Sequence, residues 1–129
     1  MKKKQMLLII FSLLAFSLQA QDNIPGEIVQ ALDAGKSSEL SAHFNSTIEL
    51  VILQEEDVYS RIQAEQILKN FFMEHPPSSF KVIFDGGKEN SRYAIGTLTT
   101  SKGSFRVYFL LKMQSSKPLI HQLRIEEDG

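Results

Sequence analysis

The pattern of apolar residues changes from helical to alternating near residue 79. Before that point, apolar residues recur at the spacing of amphipathic helices over 24–34, 37–44 and 61–75. After it, apolar and polar residues alternate, as they do in half-buried strands. The alternating segments are 80–85, 91–100, 104–113 and 118–127, with turn-forming residues between them. Because such short loops join antiparallel neighbours, the second half predicts a four-strand meander.

The segment SRIQAEQILKNFFMEHPP, residues 60–77, has the clearest boundaries in the chain. Ser60 and Gln63 stand at the spacing of a capping box, which predicts that a helix begins directly after Ser60. The Pro76-Pro77 pair disfavours helical geometry in the preceding residues, so the helix is expected to end by His75. Its apolar stripe comprises Ile62, Ala64, Ile67, Leu68, Phe71 and Phe72.

Two strands are predicted ahead of this helix. TIELVIL, residues 47–53, is rich in β-branched residues, and a shorter strand is expected around Val58 and Tyr59. The full order is then helix, helix, strand, strand, helix and four strands. Helices segregated from an antiparallel sheet predict an α+β domain, with the helices packed on the concave face of a curved antiparallel sheet.

This element order and the SRIQAEQILKNFF…P segment at the helix-to-meander junction resemble the nuclear transport factor 2-like (cystatin-like cone) superfamily. The resemblance extends over nearly all of residues 21–129, includes no catalytic motif, and is strongest to small exported bacterial members of unknown function. It implies a cone-shaped sheet wrapped around helices, with a pocket inside. The superfamily includes enzymes, binding proteins and accessory domains, so the fold alone does not define a function.

The first 20 residues predict a signal peptide. Three lysines precede an apolar run from Met6 to Leu18, and the small residue Ala20 follows. The run is shorter than the about 20 residues that span a bilayer, so no membrane span is expected in the mature chain. We expect cleavage near Ala20, one domain at 21–129, and a periplasmic or extracellular location.

Charge and cysteine content exclude several classes of protein. Removing the three leader lysines from the 14 basic residues leaves 11, against 15 acidic residues. The remaining lysines are scattered, so nucleic acid is not an expected partner. The chain has no cysteine, which excludes disulfides, thiol catalysis and cysteine-based zinc sites. The three histidines lack the spacing of a metal site, and neither a metal nor a cofactor is predicted.

A candidate site follows from the expected strand register. A three-residue hairpin loop at 101–103 would pair Tyr93 with Leu111, and strict alternation in the last strand would place His121 beside them. Tyr93 and His121 would then lie about 10 Å apart on the concave face. The predicted ligand-binding residues are Tyr59, Phe72, Phe84, Tyr93, Leu111 and His121.

These residues lead us to expect a non-catalytic module that binds a small apolar ligand or a protein between helix 61–75 and the sheet. The predicted concave face carries no paired carboxylates and no nucleophile beside a base. The alternative is a small isomerase or hydrolase, with His121 as the base and Tyr93 as the orienting group. Both hypotheses require that Phe71 and Phe72 leave the interior of the cone open.

The convex face predicts a second contact surface. Apolar side chains surrounded by basic ones on an open sheet are typical of a dimer interface, and sheet-to-sheet dimers are common in the superfamily that the chain resembles. The predicted homodimer interface comprises Ile83, Arg106, Tyr108, Leu110 and Ile120. Leu98, Arg92, Lys112 and Arg124 are expected on the same face.

Overall fold

The computed structural model describes residues 24–128. The predicted signal peptide and its cleavage site lie outside the described residues. Within them, the order of helices and strands is the predicted one, and the α+β class is confirmed. The elements are α1 (Gly26–Ala34), α2 (Ser37–Ser41), β1 (Phe44–Ile52), β2 (Glu55–Ser60), α3 (Arg61–Glu74), β3 (Pro77–Lys88), β4 (Ser91–Thr100), β5 (Gly103–Gln114) and β6 (Lys117–Glu127).

The strands form one curved six-stranded sheet in the order β2-β1-β6-β5-β4-β3. The meander from β3 to β6 is antiparallel throughout, as predicted. The prediction of a wholly antiparallel sheet is wrong at one pair, because β1 and β6 run parallel. A parallel pair needs a long connection, and the chain between β1 and β6 supplies it. The helices lie on the concave face, here called the inner face, and the opposite face is called the outer face.

The capping box that was predicted for α3 is present. The Ser60 hydroxyl accepts a hydrogen bond from the Gln63 backbone N–H at 3.2 Å, and the Gln63 side chain accepts one from the Ser60 N–H at 3.1 Å. At the other end, the His75 N–H donates to the Phe71 carbonyl at 2.8 Å, directly before the two prolines. Local sequence therefore determines both ends of α3.

Helix α1 is fixed to the far edge of the sheet. The Asp33 carboxylate, near its C-terminus, accepts a hydrogen bond from the Phe80 backbone N–H of β3 at 2.8 Å. The helix ends at Gly35, where φ is +66° and an added Cβ would lie 2.7 Å from the Pro77 ring. These contacts hold the C-terminal end of α1 against the start of β3, and its N-terminal end lies beside Met113 and Pro118 of the β5–β6 hairpin.

The β4–β5 hairpin differs from the predicted register by one residue. Its loop contains two residues rather than three, so Thr100 pairs with Gly103 and Tyr93 pairs with Leu110. This shift turns Tyr93 to the outer face and brings small residues to the inner face. The inner-facing residues of β4 that are buried are Ala94, Gly96, Leu98 and Thr100. Leu98 is therefore a core residue, and its predicted outer position is wrong.

The small inner residues of β4 make room for aromatic rings. An added Cβ on Gly96 would lie 2.5 Å from the Phe80 ring and 2.5 Å from the Lys81 carbonyl oxygen. The gap that Gly96 leaves is thus covered by Phe80 of the neighbouring strand. Packing against Phe80 explains why the larger residues of β4 face outwards.

A β-bulge interrupts β6 at His121. Leu111 pairs with Ile120 and Leu110 pairs with Gln122, which leaves His121 between them without a partner of its own. Ile120 consequently points inwards and is fully buried, so its predicted place in an outer dimer interface is wrong. The alternation that predicted an inward His121 holds on each side of the bulge but not across it.

Candidate functional site

The space between α3 and the centre of the sheet is filled by side chains. Phe71 and Phe72 of α3 are each 5% exposed, and Phe109 of β5 is fully buried. The rings of Phe71 and Phe105 meet edge to face, with their centroids 5.3 Å apart. The core therefore occupies the interior in which the ligand pocket was predicted, and the open spaces described below lie at its margins.

Tyr93 lies in an aromatic cluster on the outer face. Its ring centroid is 5.9 Å from that of Phe84 on β3 and 6.1 Å from that of Tyr108 on β5. Phe84 is 55% exposed, because a bulge in β3 pairs it with Ile95 instead of placing it towards the core. The inner placement predicted for Tyr93 and Phe84 is therefore wrong. We call Phe84, Tyr93 and Tyr108 the aromatic surface.

His121 also lies away from the interior of the cone. Its Nε2 is 3.5 Å from the side-chain nitrogen of Gln114, near the β5–β6 turn. Burial lowers the pKa of His121, and the positive charge of Lys112 lowers it further. Lys112 is exposed on the outer side of β5, whose inner positions are held by buried neighbours. Tyr93 and His121 are thus not brought together on the inner face, as the enzyme hypothesis required.

The other predicted ligand-binding residues are spread across the core and the opposite edge. Phe72 and Leu111 are buried members of the hydrophobic core. Tyr59 packs against that core from the edge strand β2, which is separated from β4 by three strands. The predicted set of six residues therefore does not form one site.

One open groove runs along the C-terminal half of α3. It has a volume of about 600 Å³ and lies between this helix, the β1–β2 turn and the end of β6. Its charged lining includes Glu55, Glu74 and Glu127, and His75 stands at one end. The imidazole of His75 stacks on Phe71 with centroids 4.4 Å apart, which gives this histidine a packing role at the helix end.

A second space lies at the other end of the inner face, where α1 begins. It has a volume of about 390 Å³, and we call it the Arg92 cleft. Its lining residues are Ile24, Pro25, Gly26, Glu89, Asn90, Arg92, Leu111, Met113 and Pro118. Apolar side chains supply most of the wall, and the β3–β4 turn supplies a polar rim. The first residues of α1 close one side.

Arg92 brings charge into this otherwise apolar cleft. The side chain lies on the inner face because Arg92 pairs with Leu111, which is an inner residue of β5. Its Nε is buried and has no hydrogen-bond partner among residues 24–128. A buried donor without an acceptor is uncommon in native proteins and calls for an explanation.

The register shift also explains why Arg92 was not among the predicted site residues. The predicted pairing of Tyr93 placed Arg92 with the basic residues of the outer face, and that placement is wrong. The small residues Ala94 and Gly96 were the signal in the sequence for the correct face of β4, because large core rings on neighbouring strands need small residues beside them. Assigning them to the inner face would have turned Arg92 inwards as well.

Neither a cluster of metal-ligating side chains nor a membrane-spanning helix is present among residues 24–128. Between residues 24 and 128, no group of three or more His, Asp or Glu side chains is arranged to hold a metal ion. Over the same residues, none of the helices combines the length and the apolar character needed to cross a membrane.

The curved sheet with helices on its concave face has the fold of nuclear transport factor 2-like, cystatin-like cone domains. The chain is similar in fold to a cystatin-like domain of unknown function from Nostoc punctiforme, with a TM-score of 0.65 and 11% identity over 80% of this chain and 72% of that one. A second structure of similar fold, whose name includes NTF2, has a TM-score of 0.64 and 12% identity over 78% of this chain and 94% of that one. These likenesses show the fold alone.

Within this class, the chain belongs to the DUF4783 family, a domain of unknown function whose pattern matches residues 25–126. A family protein from Bacteroides fragilis is 35% identical, with a TM-score of 0.78 over 81% of this chain and 99% of that one. One from Bacteroides ovatus is 33% identical, with a TM-score of 0.79 over 82% and 96%. No curated protein matches the sequence.

Proposed function

We propose that the protein is a non-catalytic binding module whose ligand occupies the Arg92 cleft. The observation that carries the proposal is Arg92 itself, a charged side chain that lines an otherwise apolar cleft while its enclosed Nε lacks an acceptor within the described residues. The cleft volume of about 390 Å³ lies within the range of small-molecule sites, and its apolar wall with few polar groups is typical of them.

The energetics of the buried donor support a binding role. Burying a donor without a partner costs about 1–3 kcal/mol, which is a large part of the stability of a small domain. A ligand that accepts hydrogen bonds from the guanidinium group would offset part of this cost when it binds. A binding site explains why an arginine, rather than an apolar residue of similar length, stands at this inner position.

The proposal is tested by titrating the protein with octanoate, octanol and octylammonium while its amide resonances are followed by NMR. At least one probe is expected to shift the amides of Arg92 and Leu111 in a saturable manner. The variant Met113→Trp is expected to abolish these shifts, because Met113 lines the cleft and is 40% exposed, so a larger ring there fills the space. Met73→Trp is the matched control on α3, where the side chain is 70% exposed and lies outside the cleft.

The proposal fails if none of the three probes shifts the cleft amides. It also fails if Met113→Trp retains every shift that the wild-type protein shows while its spectrum reports an intact fold. If Met73→Trp loses the ligand-induced amide shifts to the same degree as Met113→Trp, the loss reflects a general effect of added tryptophan and not a filled cleft.

We further propose that the aromatic surface is a self-association surface of the outer face. The support is a cluster of three neighbouring rings on an uncovered sheet, with Leu110 paired beside Tyr93 and an exposed Arg106 near the rim. Sedimentation equilibrium is expected to show a dimer that Tyr108→Arg disrupts. Val58→Arg is the matched control, because Val58 is 62% exposed on the distant edge strand β2. A wild-type monomer at high micromolar concentration contradicts this proposal.

We also propose that the protein is exported and that residues 1–20 are removed. The tripartite leader supports this proposal, and the family relatives come from bacteria. The intact mass of the protein produced in an exporting bacterial host is expected to correspond to a chain that begins near Gln21. Recovery of the full-length chain from the cytoplasmic fraction alone contradicts the proposal.

A further inference from the structure

We infer that the Arg92 cleft selects a singly charged carboxylate attached to a short apolar chain. This inference rests on the proposed function, because it assumes that the cleft binds a ligand, and it adds the chemical class of that ligand. Three features of the cleft carry it: the guanidinium group, the start of α1 and the balance between its apolar wall and its acidic rim.

The guanidinium group supplies the charge that a carboxylate needs. Within residues 24–128 no carboxylate lies within salt-bridge distance of Arg92, although Glu89 lines the same cleft. Arginine stays charged and presents its donors in a planar fork that matches the two oxygens of a carboxylate. Since Arg92 lines the cleft, an anion bound there would meet its guanidinium group, whose Nε is enclosed by the protein and unpartnered within the described residues.

The start of α1 forms one side of the cleft. Pro25 and Gly26 line the space, and Pro25, at the N-cap position, makes no side-chain hydrogen bond to the helix. In α1 the Ile28 N–H donates to the Pro25 carbonyl, whereas the N–H groups of Gly26 and Glu27 stand at the two first helical positions, which have no acceptor within a helix and carry the positive end of its dipole. These groups favour the same sign of ligand charge as Arg92 does.

The remaining lining limits the ligand to one charge and a modest size. Ile24, Leu111 and Met113 offer apolar contact that suits an alkyl or aryl chain and leaves a bare inorganic anion unsupported. Glu89 at the rim repels additional negative charge, which disfavours a phosphate dianion. The volume of about 390 Å³ corresponds to about 13 water volumes at roughly 30 Å³ each, so it suits about ten non-hydrogen atoms.

The test compares the affinities of octanoate, octanol, octylammonium and inorganic phosphate for the purified protein. Octanoate is expected to bind at least about tenfold more tightly than octanol, and phosphate and octylammonium more weakly than either. Raising the salt concentration is expected to weaken octanoate binding and leave octanol binding unchanged. Arg92→Met is expected to reduce the ratio between octanoate and octanol to near one with octanol affinity retained, and Arg92→Lys is expected to keep part of the ratio.

The possible outcomes separate the ligand class from the site itself. Equal affinity for octanoate and octanol, or a ratio that Arg92→Met leaves unchanged, overturns the inference about charge while the cleft remains a binding site. Tighter binding of octylammonium or of phosphate overturns it in the same way. If no probe shifts the cleft amides, the proposed function fails together with the inference. Amide spectra verify that both Arg92 variants fold. If Arg92→Met does not fold, Arg92→Lys supplies the comparison of octanoate and octanol affinities.

Discussion

Replacing Arg92 with methionine should leave the ligand-free protein at least as stable as the wild type, although the side chain is largely enclosed by the fold. The change removes a buried donor whose lack of a partner costs about 1–3 kcal/mol. Methionine keeps an unbranched apolar stem that can pack against Leu111 in much the same way. We therefore expect the free energy of unfolding to rise by about 1 kcal/mol, which raises the melting temperature of a domain this size by about 4 °C.

Urea denaturation followed by far-ultraviolet circular dichroism measures this change, and the chain contains no tryptophan for a fluorescence assay. Arg106→Met is the matched control on the outer face, with both variants compared at a protein concentration at which the chain is monomeric. Arg106 is 66% exposed and approaches Asp128 at 3.7 Å, so its replacement should alter the free energy of unfolding by less than about 0.5 kcal/mol. A loss of more than about 1 kcal/mol in Arg92→Met would refute the reasoning, because it would mean that the guanidinium stabilises the free protein.

Three further measurements address the register and the turns. Gly96→Ala should lower the free energy of unfolding by about 1–3 kcal/mol, because the added Cβ would meet the backbone of β3. Gly26→Ala is the control, since the space around Gly26 is open, and it should leave stability nearly unchanged. Equal effects of the two variants in a denaturant titration would contradict the packing described for β4. Ser115 and Ser116 have positive φ angles, 50° and 66°, which Asn and Gly adopt more readily than Ser. The double variant S115N/S116G should therefore raise the free energy of unfolding by about 1 kcal/mol. A lower melting temperature would count against this turn geometry. His121 should titrate by NMR below its ordinary pKa, and nearer to it in Lys112→Gln. Because the pKa of His121 is lower in the folded protein than in the unfolded chain, the unfolded chain binds the proton more readily, and stability should fall as the pH drops below about 6.5. A titration midpoint of His121 above about 6.5 in the folded protein would contradict the burial of its ring.

Local patterns predicted the elements, because each boundary depends on residues close in sequence. Ser60 and Gln63 define the start of α3 by their own hydrogen bonds, and the two prolines that follow His75 define its end. The period-two segments of the second half identified all four strands of the meander to within a few residues at each end. Such features do not depend on which strand becomes a neighbour.

The candidate site depended on register, which local patterns determine only weakly. In β4, both Tyr93–Ile95 and Ala94–Gly96 are compatible with alternation, and hydrophobicity alone favours turning the larger pair inwards. The fold does the opposite, because the Phe80 ring already occupies the inner side beneath Gly96. One extra residue in the assumed β4–β5 loop then exchanged the faces of the whole strand.

The bulge in β6 is the other feature that the sequence did not reveal. A bulge adds a residue without changing composition, so Ile120 and Leu123 can both face the core although two residues lie between them. Strict alternation then misplaces one half of the strand, and here it misplaced His121. The inward position of Arg92 follows from the same long-range pairings, so it became visible only once the sheet was assembled.

The central position of β6 has a consequence for how the chain folds. This strand is the last element of the described residues, yet it lies between β1 and β5 and joins the β1–β2 hairpin to the meander. A nascent chain that ends before Lys117 would hold two separate pieces of sheet with exposed edges and no shared strand. The sheet therefore cannot form as one unit until β6 is present. Because β6 pairs with β1, which is far away in sequence, slow folding is expected for a domain of this length. Removal of Lys117–Glu127 should abolish the cooperative unfolding transition rather than trim one edge of the sheet.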